Sequence, residues 1–494
     1  MSDYTTHKNL KTLFNPSIVA VIGASLNPDK LGFHVMKSLI NGNFQGRIVP
    51  VNPGAGEIMG IPAYASLDLF HDPIDAAIIV LPARLVPGIF EECAQKDIKG
   101  IVLITAGFKE IDDPAGARLQ STLAEMARKA GIAVIGPNTF GMVNLHKNLN
   151  ASFTPEFSWA KKGAVALVSQ SGGISHLLAF LAMRQHVGFS KIIGLGNRLN
   201  IDFAEILPFL MDDADTKVIA LYLEGLDEPR RLMDAARAFL GKKPIVAYKT
   251  GGAESGDRAS QSHTGSMAGN REVYAGALRQ AGVLCVDHAE DLLDLAHALS
   301  LGSLPEGPRI AVLTGQAGPG MACCDVCEAM GLRIAAFRPK TQAVIDELLP
   351  PLALRTNPVD MGPAWYDTAA IKGIVRAVME DENVDGIILL MMFASANREA
   401  VAGISDLLIE WNQKKPVVTC LIAPPGIWDE QVLGLEKAGA IVNLPTPERA
   451  GKVMSGLWEY GKKVSRLRLK AMAGKQRSRQ RRETTTGQPL EIGH

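Results

Sequence analysis

The chain has 494 residues, 47% of them apolar and 21% charged, with 51 basic side chains balanced by 51 acidic ones. That length points to about three domains, and that apolar content to several packed cores, which excludes a disordered chain. Zero net charge excludes a globally electrostatic binder of nucleic acid or membranes, and 48 glycines beside 6% aromatics suit an α/β fold with tight strand-to-helix turns.

Short, uniformly apolar runs alternate with amphipathic stretches from the N-terminus onward. Ile18 to Ile22, Arg47 to Val51, Ala76 to Leu81, Gly100 to Thr105 and Ile132 to Ile135 read as strands, and Pro114 to Ala130 as a helix between two of them. Runs without alternation are the mark of parallel strands covered on both faces. A doubly wound parallel sheet is therefore expected over residues 1–150. The pattern restarts over 160–300 with Ala164 to Val168, Lys191 to Gly194, Val218 to Leu223 and Pro244 to Tyr248. After a Gly/Pro-rich linker at Leu301 to Pro308 it restarts again over 308–460, with Arg309 to Leu313, Gly386 to Leu390 and Pro416 to Ile422. Residues 461–494 form a basic tail, with ten basic residues and no acid between 462 and 482, expected to be frayed and solvated after a final helix.

Six cysteines do not make a disulfide framework, and MSDYTTHKNLKTLF has no apolar segment of a secretory signal. No apolar run is long enough to span a bilayer, so a soluble, cytoplasmic protein is expected, binding neither membrane nor nucleic acid. The cluster Cys323, Cys324 and Cys327 has no second pair to complete a zinc site; Cys324 and Cys327 share a helix face, and buried packing is the better reading. No metal site is expected.

Three loops at strand ends carry the chemistry. Gly23-Ala24-Ser25 closes the first strand, where backbone N–H groups can hold phosphate or simply turn the chain. The second strand ends Val51-Asn52-Pro53-Gly54, without the acid that would hold the ribose of NAD, which argues against a dehydrogenase. Ser169-Gln170-Ser171-Gly172-Gly173 lies between a buried strand and a helix, an anion site by its hydroxyls, glycines and helix N-terminus, or alternatively an N-cap turn. The long polar stretch Lys249 to Gly269 follows another strand and contains His263 among small residues, suited to act as nucleophile or proton carrier. Such an imidazole needs its other nitrogen oriented, and Glu224, ending an adjacent strand, is the best-placed candidate.

Together GAS (23–25), GPN (136–138), SQSGG (169–173), LEG (223–225) and SHTGSMAG (262–269) resemble the nucleoside-diphosphate-forming acyl-CoA synthetases, in order over about residues 10–460. The family includes the ADP-forming acetyl-CoA synthetase α subunit and, more distantly, the succinyl-CoA synthetase α subunit. Thr314 to Gly320 and Asn357-Pro358-Val359-Asp360 agree with its third domain. The resemblance implies a Rossmann-like CoA-binding domain and two flavodoxin-like parallel-sheet domains, the first of them carrying a phosphohistidine. It implies that His263 relays phosphate from acyl phosphate to ADP, and that Glu224 steadies the imidazole. Ser169, Gln170, Ser171, Gly172, Gly173, Thr264 and Gly265 would stabilise the phosphohistidine. Gly23, Ser25, Lys30, Asn52, Pro53, Leu81, Pro82, Thr105, Gly107, Phe108, Pro137 and Asn138 would line CoA.

The family binds nucleotide on an ATP-grasp module of roughly 200 residues or more, which exceeds a single typical domain and for which only the tail remains after residue 460. The chain therefore resembles the α half of a hetero-oligomer, with ADP/ATP and Mg2+ on a separate β subunit. The expected reaction converts acyl-CoA, phosphate and ADP into carboxylic acid, CoA and ATP, reversibly. The rival readings are a non-catalytic CoA or acyl-CoA sensor on the same scaffold and an NAD-dependent enzyme.

Overall fold

The computed structural model describes residues 3–251, 271–411 and 414–485. They fall into two compact units, 1–300 and 301–494.

In the first unit, Asp3–Phe14 (α1) leads into Ile18–Ile22 (β1), Leu31–Asn41 (α2) and Arg47–Val51 (β2). A small hairpin, Glu57–Ile58 (β3) and Ile61–Pro62 (β4), precedes Ala76–Ile79 (β5), Gly100–Leu103 (β6) and Ala133–Ile135 (β7). The five longer strands pair in parallel in the order β2-β1-β5-β6-β7. Every residue of β5, β6 and β7 is buried, which is what an unalternating apolar run requires. The helix Pro114–Ala130 has the bounds that its sequence predicts. Asp113 caps its first turn through the N–H of Ala115, and Gly131 ends it at φ 68. The helix α1 was not foreseen. It buries Leu10, Leu13 and Phe14, and Phe14 stacks on Phe209 with ring centroids 4.7 Å apart.

The second sheet contains Gly141–Asn144 (β8), Leu149–Ser152 (β9), Lys162–Ser169 (β10), Phe189–Gly194 (β11), Val218–Leu223 (β12), Ile245–Lys249 (β13) and Leu284–Val286 (β14). Its order is β14-β13-β12-β10-β11-β8-β9. The first five run parallel, as the sequence indicates for β10 to β13, and β14 is a strand the sequence reading did not name. The β8–β9 hairpin, absent from the sequence reading, extends the sheet antiparallel to β11. It turns through Asn148 at φ 54, a conformation asparagine tolerates.

The second unit holds Arg309–Thr314 (β15), Arg333–Ile334 (β16), Val359–Asp360 (β17), Gly386–Met392 (β18), Val417–Ile422 (β19) and Val442–Asn443 (β20). They form a third parallel sheet, β16-β15-β18-β19-β20, with β17 beside β15. The final helix runs Pro447–Thr485, so most of the stretch read as a frayed tail has helical backbone. Pro447 starts it, no proline follows before Pro489, and Leu, Lys, Arg and Ala are strong helix formers. Among the described residues, no helix is long and apolar enough to cross a membrane.

Candidate active site

In an open parallel sheet, ligands bind beyond the carboxyl ends of the strands where the strand order reverses. In the first sheet that point lies between β1 and β5, and a cavity of about 960 Å³ opens there. Gly23, Ser25, Lys30, Asn52, Pro53, Leu81, Pro82 and Thr105 line it, eight of the twelve residues expected to line CoA. The glycine turn is shaped by close backbone approach. Gly23 has φ +93, and a Cβ there would stand 2.4 Å from the Val80 carbonyl oxygen. A Cβ on Gly32, in the first turn of α2, would stand 1.9 Å from the Gly23 carbonyl oxygen. The start of α2 is thus pressed onto the turn, with Lys30 at its N-cap and no side chain capping it. Orphan N–H groups, a dipole and a lysine make this end suited to a phosphate ester. Asn52 ties the first two strand ends, donating to the Ala24 carbonyl at 2.7 Å and accepting from the N–H of Gly54 at 2.8 Å. Thr105 ties the next two by donating to the Leu81 carbonyl at 2.7 Å. Glu92, not anticipated, also lines the cavity, and burial with nearby Asp68 raises its pKa.

The other four expected residues lie off this cavity. Phe108 is fully buried, and the N–H groups of Gly107 and Phe108 donate to the carboxylate of Glu110 at 2.5 and 3.2 Å. Pro137 gives its carbonyl to the N–H of Asn197 at 2.8 Å. Asn138 instead lines a second cavity, of about 400 Å³, together with Gln170, Ser171, Gly172 and Gly173. The two cavities adjoin, since Leu31 and Ala106 line both. Phe140, Phe153 and His176 give the second an aromatic wall. His176 bonds the Gly172 carbonyl at 2.7 Å through Nδ1 and the Thr154 hydroxyl at 2.8 Å through Nε2, so both ring nitrogens are engaged within the protein.

The loop Ser169 to Gly173 divides its labour. The buried Ser169 hydroxyl donates to the Ser171 carbonyl at 2.9 Å and accepts from its N–H at 3.1 Å, fixing the turn. Ser171 is the N-cap of the helix Gly172–Arg184 and accepts from the N–H of Ile174 at 3.3 Å. The N–H groups of Gly172 and Gly173 then lie in the first turn, where no intrahelical acceptor exists. A Cβ on either glycine would meet nothing closer than 3.8 Å, so the space above them is open.

The amide of Gln170 does not face that space. Its Oε1 accepts from the N–H of Glu224 at 2.6 Å and of Gly225 at 3.2 Å, and its Nε2 donates to the Gly225 carbonyl at 2.7 Å. Glu224, half-buried at the end of β12, is therefore held from β10, across the second sheet's switch point. Beside it, burial pushes the phenol of Tyr222 up to about 12, with the Glu224 charge adding. Its hydroxyl shares a 2.9 Å hydrogen bond with Thr250. Also unforeseen is Lys249, buried at the end of β13, whose Nζ donates to the Glu224 carbonyl at 2.8 Å. Its one sequence signal is a cation closing an otherwise apolar strand. His263, Thr264 and Gly265 lie outside the described residues.

Cys323 and Cys327, both buried, bring their sulfurs to 3.9 Å, so the facing pair is i,i+4 rather than Cys324 with Cys327. Among the described residues, no group of three or more His, Cys, Asp or Glu side chains could hold a metal ion.

The sequence matches the family described as a CoA binding domain over residues 17–144, and the succinyl-CoA ligase-like flavodoxin domain over 162–299. It is 38% identical over 465 residues to the α subunit of acetate–CoA ligase (ADP-forming) II of Pyrococcus furiosus, covering 92% of this chain and 98% of that one. It is 36% identical over 488 residues to acetate–CoA ligase (ADP-forming) I of Archaeoglobus fulgidus, covering 98% of this chain but 68% of that longer one. The solved acetyl-coenzyme A synthetase 1 of Ca. Korarchaeum cryptofilum, in complex with phosphate and ADP, superposes with a TM-score of 0.85 at 34% identity, over 92% of this chain and 97% of that one. The α/β sheets, the cavity at the first switch point and these likenesses agree, and the chain belongs to the family of ADP-forming acyl-CoA synthetase α subunits, whose members are acid–thiol ligases.

Proposed function

We propose that this chain carries the acyl-transfer and phosphohistidine half of an ADP-forming acid–CoA ligase. The adjoining cavities carry the reading: a CoA-sized cleft opens, past Leu31 and Ala106, onto the helix N-terminus of the Ser169 to Gly173 loop. With CoA in the first, its thioester end reaches the second. A phosphate oxygen attacks the thioester carbonyl there, the thiolate leaves and is protonated, and an acyl phosphate remains. The imidazole of His263 then attacks phosphorus, the carboxylate leaves as free acid, and the phosphoryl group passes to ADP. The open N–H groups of Gly172 and Gly173 suit the anion at each stage. Glu224, fixed by Gln170, steadies the imidazole as it gains and loses charge.

Relatives named as α subunits support a separate partner, and the longer Archaeoglobus ligase supports an additional module. The partner in this reading is an ATP-grasp β subunit holding ADP or ATP with Mg2+, and the complex is cytoplasmic. The residues 1–150, 160–300 and 308–460 serve as the CoA-binding, phosphohistidine and second flavodoxin-like domains. The test is to incubate the chain with that partner and γ-labelled ATP. An acid-labile, base-stable label that His263→Ala abolishes supports the relay. CoA binding without any such label favours the sensor.

A further inference from the structure

We infer that Lys249 is a positioning residue for the phosphoryl relay, acting through Glu224; the inference rests on the reading of Glu224 as the group that steadies His263. The strand β12 lies between β10 and β13, and each neighbour sends one long polar side chain to its end. Gln170 takes the N–H of Glu224 at 2.6 Å, and Lys249 takes its C=O at 2.8 Å. The backbone of one residue is thereby gripped on both of its peptide groups by side chains from the ends of two strands. The same ammonium also donates to the carbonyl of Thr250, the first residue of the chain segment that leads to His263. Thr250 is itself bonded to β12, its N–H donating to the Leu223 carbonyl at 3.0 Å and its hydroxyl meeting the Tyr222 hydroxyl.

A lysine at a strand end ordinarily extends its ammonium into water. This one is 5% exposed and lies 4.9 Å from the centre of the Tyr274 ring. Burying a cation is costly unless acceptors surround it, and an apolar side chain of equal length would fill the space without that cost. Two carbonyls and a ring face offset the burial. What the ammonium achieves that packing does not is to lock the turn bearing Glu224 to the root of the histidine segment. A carboxylate that orients an imidazole needs its backbone held to within about half an ångström.

The experiment uses phosphoramidate, which phosphorylates reactive imidazoles directly, so the chain is tested without a partner. The rate of formation of the acid-labile signal is followed by phosphorus NMR, with His263→Ala as reference and CoA affinity as the check on folding. Lys249→Met is expected to slow labelling about tenfold, as is Glu224→Gln, and Lys249→Arg to recover most of the rate. The decisive measurement is the double variant, which should be no slower than the slower single one, because both act through one group. If Lys249→Met does not fold, Lys249→Gln takes its place in the cycle. A wild-type rate in the lysine variant, losses that multiply in the double variant, or no recovery with arginine overturns the inference while leaving the relay standing. Equal labelling of wild type and His263→Ala overturns the relay itself, and the role of Lys249 with it.

Discussion

Gly172 and Gly173 are glycines with room above them, whereas Gly23 and Gly32 are glycines with none. The two cases predict opposite phenotypes. Gly173→Ala meets no atom within 3.4 Å, so the fold should lose less than about 1 kcal/mol while histidine labelling falls at least tenfold. Thermal unfolding and the labelling assay on one preparation check both halves. Gly23→Ala must hold φ +93 with its Cβ 2.4 Å from a backbone oxygen, and should lose CoA binding together with about 2 kcal/mol or more of stability, read by calorimetry and denaturant titration. The cysteines offer a third test. Burial pushes Cys93 and Cys420 up to about 12 and also raises Cys323, where the hydrogen bond with Cys327 is the larger cause. These thiols should therefore resist iodoacetamide at pH 8 in the native chain and react only on unfolding, as mass spectrometry would show.

At the scale of elements, the strands were legible because a strand covered on both faces is apolar throughout, and residues such as Val218 to Leu223 have no other reading as plain. The hairpin β8–β9 escaped notice because Asn144, Asn150 and Ser152 interrupt its apolar pattern, yet all three are buried. Asn150 donates to the nearby Thr154 carbonyl, but Asn144 donates to the Phe14 carbonyl 130 positions away, a bond that no local pattern encodes. The site divides in the same way. The strand-end loops could be read, but the inward turn of Gln170 depends on a residue 54 positions away. The second unit repeats that device: Gln316, in the loop after β15, donates to the Met392 carbonyl at 3.0 Å and accepts from its N–H at 3.3 Å. Nearby, Asn357 substitutes for a strand partner. Its amide accepts from the N–H of Val312 at 2.9 Å and donates to the carbonyls of Ile310 and Ala335. Asn357→Leu should strip three backbone groups of their partners and cost about 3 kcal/mol, seen as earlier unfolding of residues 301–494 in hydrogen exchange.

For the whole molecule, stability should depend on pH through His297, whose imidazole burial pushes down to about 4 from 6.5. The folded state then resists a proton that the unfolded chain accepts. The contribution is complete above pH 6.5 and is lost as pH falls towards 4, amounting to about 3 kcal/mol at the acid end. His297→Phe should flatten that part of the stability profile measured in urea. The connection between the first two sheets has a different consequence. Residues 136–141 leave β7 and enter β8, and on the way the N–H of Asn138 reaches the Thr105 carbonyl at 2.8 Å while Pro137 and Gly136 accept from Asn197 and Leu199. This crossover is stitched to both sides and so cannot serve as a hinge. Because β8 and β9 complete the sheet that follows them, residues from about 155 onward expressed alone would leave β11 with a bare edge inviting another strand to bind. Any gene that parts these two sheets must do so upstream of Gly141, and a protease that severs the chain just after β9 should find the halves still holding each other.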